Sequence, residues 1–112
     1  MITAIKRNDD FLNLYHNGRS YADKYLVMYM IGNGRDHNRY GITVSKKIGN
    51  SVVRHRITRL IRESLRLNDS YVKQGFDIVI VARYNAREKK LQTVEKAYLH
   101  LCKRHDLLIE DS

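Results

Sequence analysis

Residues 45–66 read SKKIGNSVVRHRITRLIRESLR. Asn50 or Ser51 can cap a helix there, and apolar residues recur at helical spacing from about Val52 to Asn68. With residues placed about 100° apart, Val53, Ile57, Leu60, Ile61, Ser64 and Leu67 share one side. Arg54, His55, Arg56, Thr58, Arg59, Arg62 and Arg66 cover the rest, with His55, Arg59, Arg62 and Arg66 in a single stripe. The spacing predicts a helix that packs with an aliphatic face and presents guanidinium groups with the other. Strands predicted on both sides of it make the chain α+β rather than a helical bundle.

Working outward, Arg39–Ser45 (RYGITVS) reads as a strand that leads towards the helix. Before it, a longer extended run covers about Ser20 to Ile31. There Tyr25, Val27, Tyr29 and Ile31 alternate with Leu26, Met28 and Met30. Both faces of that run are apolar, so it is either covered twice or carries a binding surface on one side. The two strands are neighbours in sequence and are expected to pair antiparallel across the Gly32–Asn38 loop. The first helix is expected from Asn8 to Asn17, with Asn8 as N-cap, Asp9 and Asp10 in the first turn and Gly18 as the stop. Phe11, Leu14 and Tyr15 share one of its faces. Phe76–Ala82 (FDIVIVA) reads as a buried strand, and a last helix covers about Glu88 to His105 with Leu91, Val94, Tyr98, Leu101 and Cys102 as its stripe. The expected order is α-β-β-α-β-α, a small sheet backed by helices. No linker or repeat divides residues 1–112, which are expected to form one domain, and with no proline the turns rest on Gly, Asn and Asp.

The chain is 43% hydrophobic, enough for a core, and sets 21 Lys and Arg against 12 Asp and Glu for a formal charge of +9. That surplus favours a polyanionic partner, nucleic acid ahead of an acidic membrane. The 22 residues from Ser45 to Arg66 hold seven Lys or Arg and one acid, Glu63, and so +6 of the total. A solvated ion-paired face would interleave acids at i+4, and this one barely does. Arginine also offers planar paired donors suited to phosphates and stacking on bases. An interfacial membrane helix would carry bulky aromatics on its apolar face, where this one has aliphatics. Charge alone does not separate RNA from DNA. A helix-turn-helix reading would need a second short helix beside the basic one, where strands are predicted instead.

No apolar run approaches the roughly 20 residues that span a bilayer, and the start, MITAIKRNDDF, lacks the apolar stretch of a signal peptide. No membrane partner and a cytoplasmic location are expected. Cys102 is the only cysteine, so no internal disulfide forms, and its apolar setting marks a small core residue. His16, His37, His55, His100 and His105 are scattered with no carboxylate at recognisable spacing. Asp9 and Asp10 could touch a metal, but the helix dipole accounts for acids in a first turn. No catalytic residue and no metal ligand are assigned to the protein.

Ser45-Lys46-Lys47-Ile48-Gly49-Asn50 running into Arg54-His55-Arg56 and Arg59-Leu60-Ile61-Arg62 resembles the signature of the ribonuclease P protein family. Asp10-Phe11 with Gly18 resembles that family's first helix, and Phe76–Arg83 its last strand. His55 stands where the family usually has Asn, and Thr58 where a basic residue is common. The resemblance implies a ribosomal-protein-like α+β sandwich with a left-handed β-α-β crossover. It implies a protein inactive alone that assists a catalytic RNA, the ribonuclease P RNA, in cutting the 5′ leader from precursor tRNA. Mg²⁺ is then held mainly by the RNA. Carried over by position, Lys46, Lys47, Arg54, His55, Arg56, Arg59 and Arg62 meet the catalytic RNA. Asn50 caps the helix or touches RNA, and Arg66 joins them on the physical argument alone. Phe11, Tyr15 and Tyr29 match the family's leader-binding cleft, where aromatic faces stack on unpaired bases with little sequence preference. Taken by themselves, Phe11, Tyr15 and Tyr29 also fit ordinary packing. A general or ribosomal RNA-binding protein of similar fold is the alternative, separated only by the Lys46–Arg62 segment.

Overall fold

The basic helix, α2 (Ser51–Asn68), begins where the Asn50 side chain accepts a hydrogen bond from the Val53 N–H at 3.0 Å. α1 (Asn8–Asn17) stops at Gly18, whose N–H bonds the Leu14 carbonyl at 2.9 Å. Its cap lies one residue earlier than expected. The Arg7 carbonyl already accepts from the Asp10 N–H, so Asn8 is helical and Arg7 takes the cap position without a side-chain bond. This computed structural model describes residues 2–109.

The extended run from Ser20 to Ile31 is two strands, β2 (Arg19–Ala22) and β3 (Leu26–Gly32). Asp23 divides them. Its carboxylate accepts the N–H groups of Tyr25 and Leu26 at 2.8 and 2.9 Å, a local bond set that outcompetes continued extension. β2 folds back antiparallel on β3, with Ser20 opposite Tyr29. A two-residue strand that periodicity cannot reveal, β1 (Thr3–Ala4), pairs parallel with β4 (Arg39–Thr43).

β5 (Phe76–Ala82) is the strand expected from the sequence, but its place changes the topology. The sheet order is β1-β4-β5-β3-β2, so β3 and β4 are not the expected antiparallel neighbours. β5 lies between them, antiparallel to β3 and parallel to β4, with Tyr29 and Gly41 on either side of Val79. Burial explains this: Asp77, Ile78, Val79, Ile80 and Ala82 are all buried, and a strand apolar on both faces belongs in the centre. α2 carries the chain across between the parallel strands β4 and β5.

Alternate residues feed two cores. Leu26, Met28, Ile78 and Ile80 meet Ile57, Ile61 and Leu65 of α2 and Val94, Tyr98 and Leu101 of α3 (Leu91–Arg104). Val79 meets α1 through Leu14, with Phe11, Tyr15, Tyr29 and Val81 packed around it. α3 starts three residues later than expected, because Glu88 takes a left-handed φ of 62° after a 3₁₀ turn at Tyr84–Ala86. On α2, Leu65 is buried, whereas Leu67, expected on that side, is 42% exposed. α3 packs along α2 and centres the buried arc on Ile61 and Leu65. Cys102 is a buried core residue, as read from its setting.

Candidate RNA-binding site

The α1 side of the sheet gathers the three aromatic residues singled out from the sequence. The Tyr15 ring meets Tyr29 edge-on at 5.0 Å between centroids, and Phe11 lies 6.5 Å from Tyr15. All three are half-buried. The Tyr15 hydroxyl is bonded to Thr43 Oγ1 at 2.8 Å, which fixes the ring against the sheet. Phe11 lies on Gly41, where a Cβ would come within 2.6 Å of its ring carbons. One edge of the cluster is thus core and the rest faces out. Val27, Val81 and Thr43 continue the half-buried row beyond Tyr29.

α1 is tied to the sheet by charge as well. Arg39 grips Asp77 through Nε at 2.9 Å and Nη2 at 2.6 Å, and its Nη1 reaches Asp10 at 3.4 Å. Burial alone would raise the Asp77 carboxyl, but the bonds from Arg39 and Asn33 outweigh it and hold it below the usual carboxylate range. Asp10, expected to serve the helix dipole, therefore also pins the start of α1.

The basic residues divide into two groups. His55, Arg59 and Arg62 are exposed on one face of α2 and form no ion pair among the described residues. Lys46 and Lys47 are exposed on a 3₁₀ turn that follows β4. They come three and four residues after Thr43, at the end of the sheet where the aromatic row opens. Arg66 is exposed but held by Glu63, with Nε at 3.0 Å from the carboxylate. Arg54 and Arg56 are half-buried, and Arg56 Nη2 donates to the Lys89 carbonyl at 2.6 Å, which joins α2 to the approach to α3. Asn50 spends its side-chain oxygen on the helix cap.

The chain that folds into this sheet and its helices has close counterparts in both sequence and fold. The sequence profile of the Ribonuclease P family matches residues 3–106. The chain belongs to the ribonuclease P protein family. The ribonuclease P protein component of Lachnoclostridium phytofermentans is 54% identical over 108 residues, covering 96% of this chain and 93% of that one. The ribonuclease P protein of Staphylococcus aureus superposes with a TM-score of 0.88 at 34% identity, over 97% of this chain and all of that one. That of Thermotoga maritima gives 0.84 at 32% identity, over 96% of this chain and 98% of that one.

A ribonuclease P protein is the protein subunit of a ribonucleoprotein endoribonuclease, and its RNA partner is ribonuclease P RNA. In this ribonuclease P protein, sequence reasoning overlooked Gly41, Thr43, Val27 and Val81 as parts of the aromatic face. Gly41 had a signal, since a glycine inside an otherwise apolar strand marks a close approach. Thr43 had none, because its partner Tyr15 is 28 residues away in the chain.

Proposed function

We propose that this subunit assists its RNA in removing the 5′ leader of precursor tRNA by holding two nucleic acids on opposite sides of one sheet. His55, Arg59, Arg62, Lys46 and Lys47 dock on the catalytic RNA, and the Phe11–Tyr15–Tyr29 face receives the unpaired leader. The observation that carries the reading is the exposed stripe of His55, Arg59 and Arg62, which no acid neutralises among the described residues. Such a stripe is relieved by phosphates and releases their counterions. Stacking on Phe11, Tyr15 and Tyr29 suits leaders that differ in sequence. Arg54 and Arg56 shape the helix surface, Arg66 shares its charge with Glu63, and Asn50 acts as a cap.

Mg²⁺ in this reading is held mainly by the RNA. Asp9 faces Arg7 at 3.6 Å and Asp10 faces Arg39, which supports leaving the ions to the nucleic acid. The place of action is the cytoplasm, and no helix among the described residues is long and apolar enough to cross a membrane.

Reconstitution tests the reading. The protein is mixed with a bacterial ribonuclease P RNA at low Mg²⁺, and leader release from a precursor tRNA is followed. Cleavage is expected only with both components. RNA binding without any change in cleavage would overturn the assisting role.

A further inference from the structure

A second cleft lies where α2 faces the outer edge of β4. It encloses about 490 Å³ between Ile5 near β1, Ile42 of β4 and Leu65 of α2, shares Phe11 with the aromatic cluster, and has Arg62 and Arg66 also in its lining and no acidic side chain among its walls. Its floor is a stretch of strand edge without a neighbour. β1 pairs with only Arg39 and Tyr40, and the last bond on that side runs from the Ile5 N–H to the Tyr40 carbonyl at 2.8 Å. Backbone groups alternate sides along a strand. The Ile42 N–H and C=O therefore point the same way as those of Tyr40, into space that β1 does not reach. The Thr58 hydroxyl, also in the lining, spends its proton on the Arg54 carbonyl at 2.8 Å and keeps only acceptor capacity.

Apolar walls, an adjacent donor and acceptor, and guanidinium groups are the three things a single unpaired nucleotide asks for. Its base is flat and apolar on both faces, its edge carries donors and acceptors, and its phosphate is anionic. We propose that this cleft takes one unpaired nucleotide of the catalytic RNA, base against the Ile42 edge and phosphate on Arg62, with Arg66 shared between it and Glu63. The proposal rests on the reading that α2 docks on that RNA. An extended acidic peptide is the competing occupant, but the unpaired edge runs only from Gly41 to Thr43, too short to hold an added strand of ordinary length.

Ala4 lines the cleft and is exposed, so Ala4→Phe fills the cleft without changing charge. With a bacterial ribonuclease P RNA as probe, Ala4→Phe should lose roughly tenfold or more in affinity and shallow the salt slope by about one, for the phosphate it displaces from Arg62, and Ala4→Ser should bind as the parent does. Ala4→Cys carrying a photo-crosslinker, with Cys102 buried and unreactive, should label one unpaired nucleotide of that RNA. That labelling stands even if the phenylalanine variant fails to fold. Unchanged affinity in Ala4→Phe, or crosslinks spread along duplex RNA, would overturn the proposal and leave the edge to a peptide. Arg59→Ala, outside the cleft, separates the two readings. If it lowers affinity and flattens the salt slope while Ala4→Phe does neither, only the cleft assignment falls. If neither variant changes binding, α2 docking falls with it.

Discussion

The two faces of the sheet place their proposed binding groups in opposite mechanical circumstances. On the α1 side, Phe11, Tyr15 and Tyr29 are also packing residues, joined to each other and to Gly41 and Thr43. On α2, Arg59 and Arg62 stand clear of the core that Ile57, Ile61 and Leu65 make beneath them. In the proposed reading, nucleic-acid contact and folding share the same atoms on the first face and use different atoms on the second. The aromatic face should therefore trade stability against binding, while the arginine face can be altered with the fold intact.

The sharpest way to break this contrast is Leu14→Ala. Leu14 is the one fully buried residue of α1, and its truncation should cost about 2–5 kcal/mol in urea unfolding and weaken leader binding in parallel. Full leader affinity in a protein so destabilised would uncouple the two. Gly41→Ala comes next: its Cβ meets the Phe11 ring, so a loss of about 1–3 kcal/mol is expected. In the holoenzyme the same change should reduce affinity for precursor tRNA more than for mature tRNA, and equal losses would place Phe11 in the core alone.

A smaller effect tests a site on neither face. His105 is buried, edge-on to Tyr21 at 4.7 Å, with Nε2 3.0 Å from the Met28 carbonyl and Nδ1 without a partner among the described residues. Burial holds its pKa below the ordinary 6.5, and the nearby charges of Arg19 and Arg104 push the same way. The unfolded chain then takes up a proton near pH 6.5 that the folded chain takes up only at lower pH. Stability should accordingly fall as pH drops below about 6.5, by at most about 1.4 kcal/mol per pH unit. His105→Gln should remove that slope, and a slope that persists would assign it elsewhere. Smallest in stability is Arg59→Ala/Arg62→Ala, expected within about 0.5 kcal/mol of the parent. Its effect should appear in RNA binding, where the salt slope shallows by about one for each arginine removed. A large loss of stability would make the arginine face structural and erase the contrast.

The sequence was most readable where neighbours in the chain make the structure. α1 and α2 depend on caps and stops such as Asn50 and Gly18, and their bounds are close to those expected. The α2 stripe of His55, Arg59 and Arg62 follows from helical geometry alone. What was not legible depends on distant partners. The Ser20–Ile31 run looks continuous because its apolar pattern hardly breaks at Asp23, and the turn is made by a single carboxylate. The pairing of β4 with β5 is set by which strand can be buried on both faces, not by nearness in sequence. Helical spacing put Arg56 on the outer surface, but the Lys89 carbonyl that holds it comes from 33 residues away.

The position of β5 has a further consequence, for how the chain is made. The central strand of the sheet is the last to leave a ribosome, and β3 and β4 have no common partner until it does. Contacts that join residues so far apart form late, after the entropy of closing the long connection has been met. A nascent chain stopped before Phe76 should thus be digested readily by protease, with its arginine helix already synthesised but nothing to pack against. Protection should be complete only once α3, which brings Val94, Tyr98 and Leu101 to the α2 core, has followed β5 out of the exit tunnel, so that the α1 side of the sheet closes before the α2 side does.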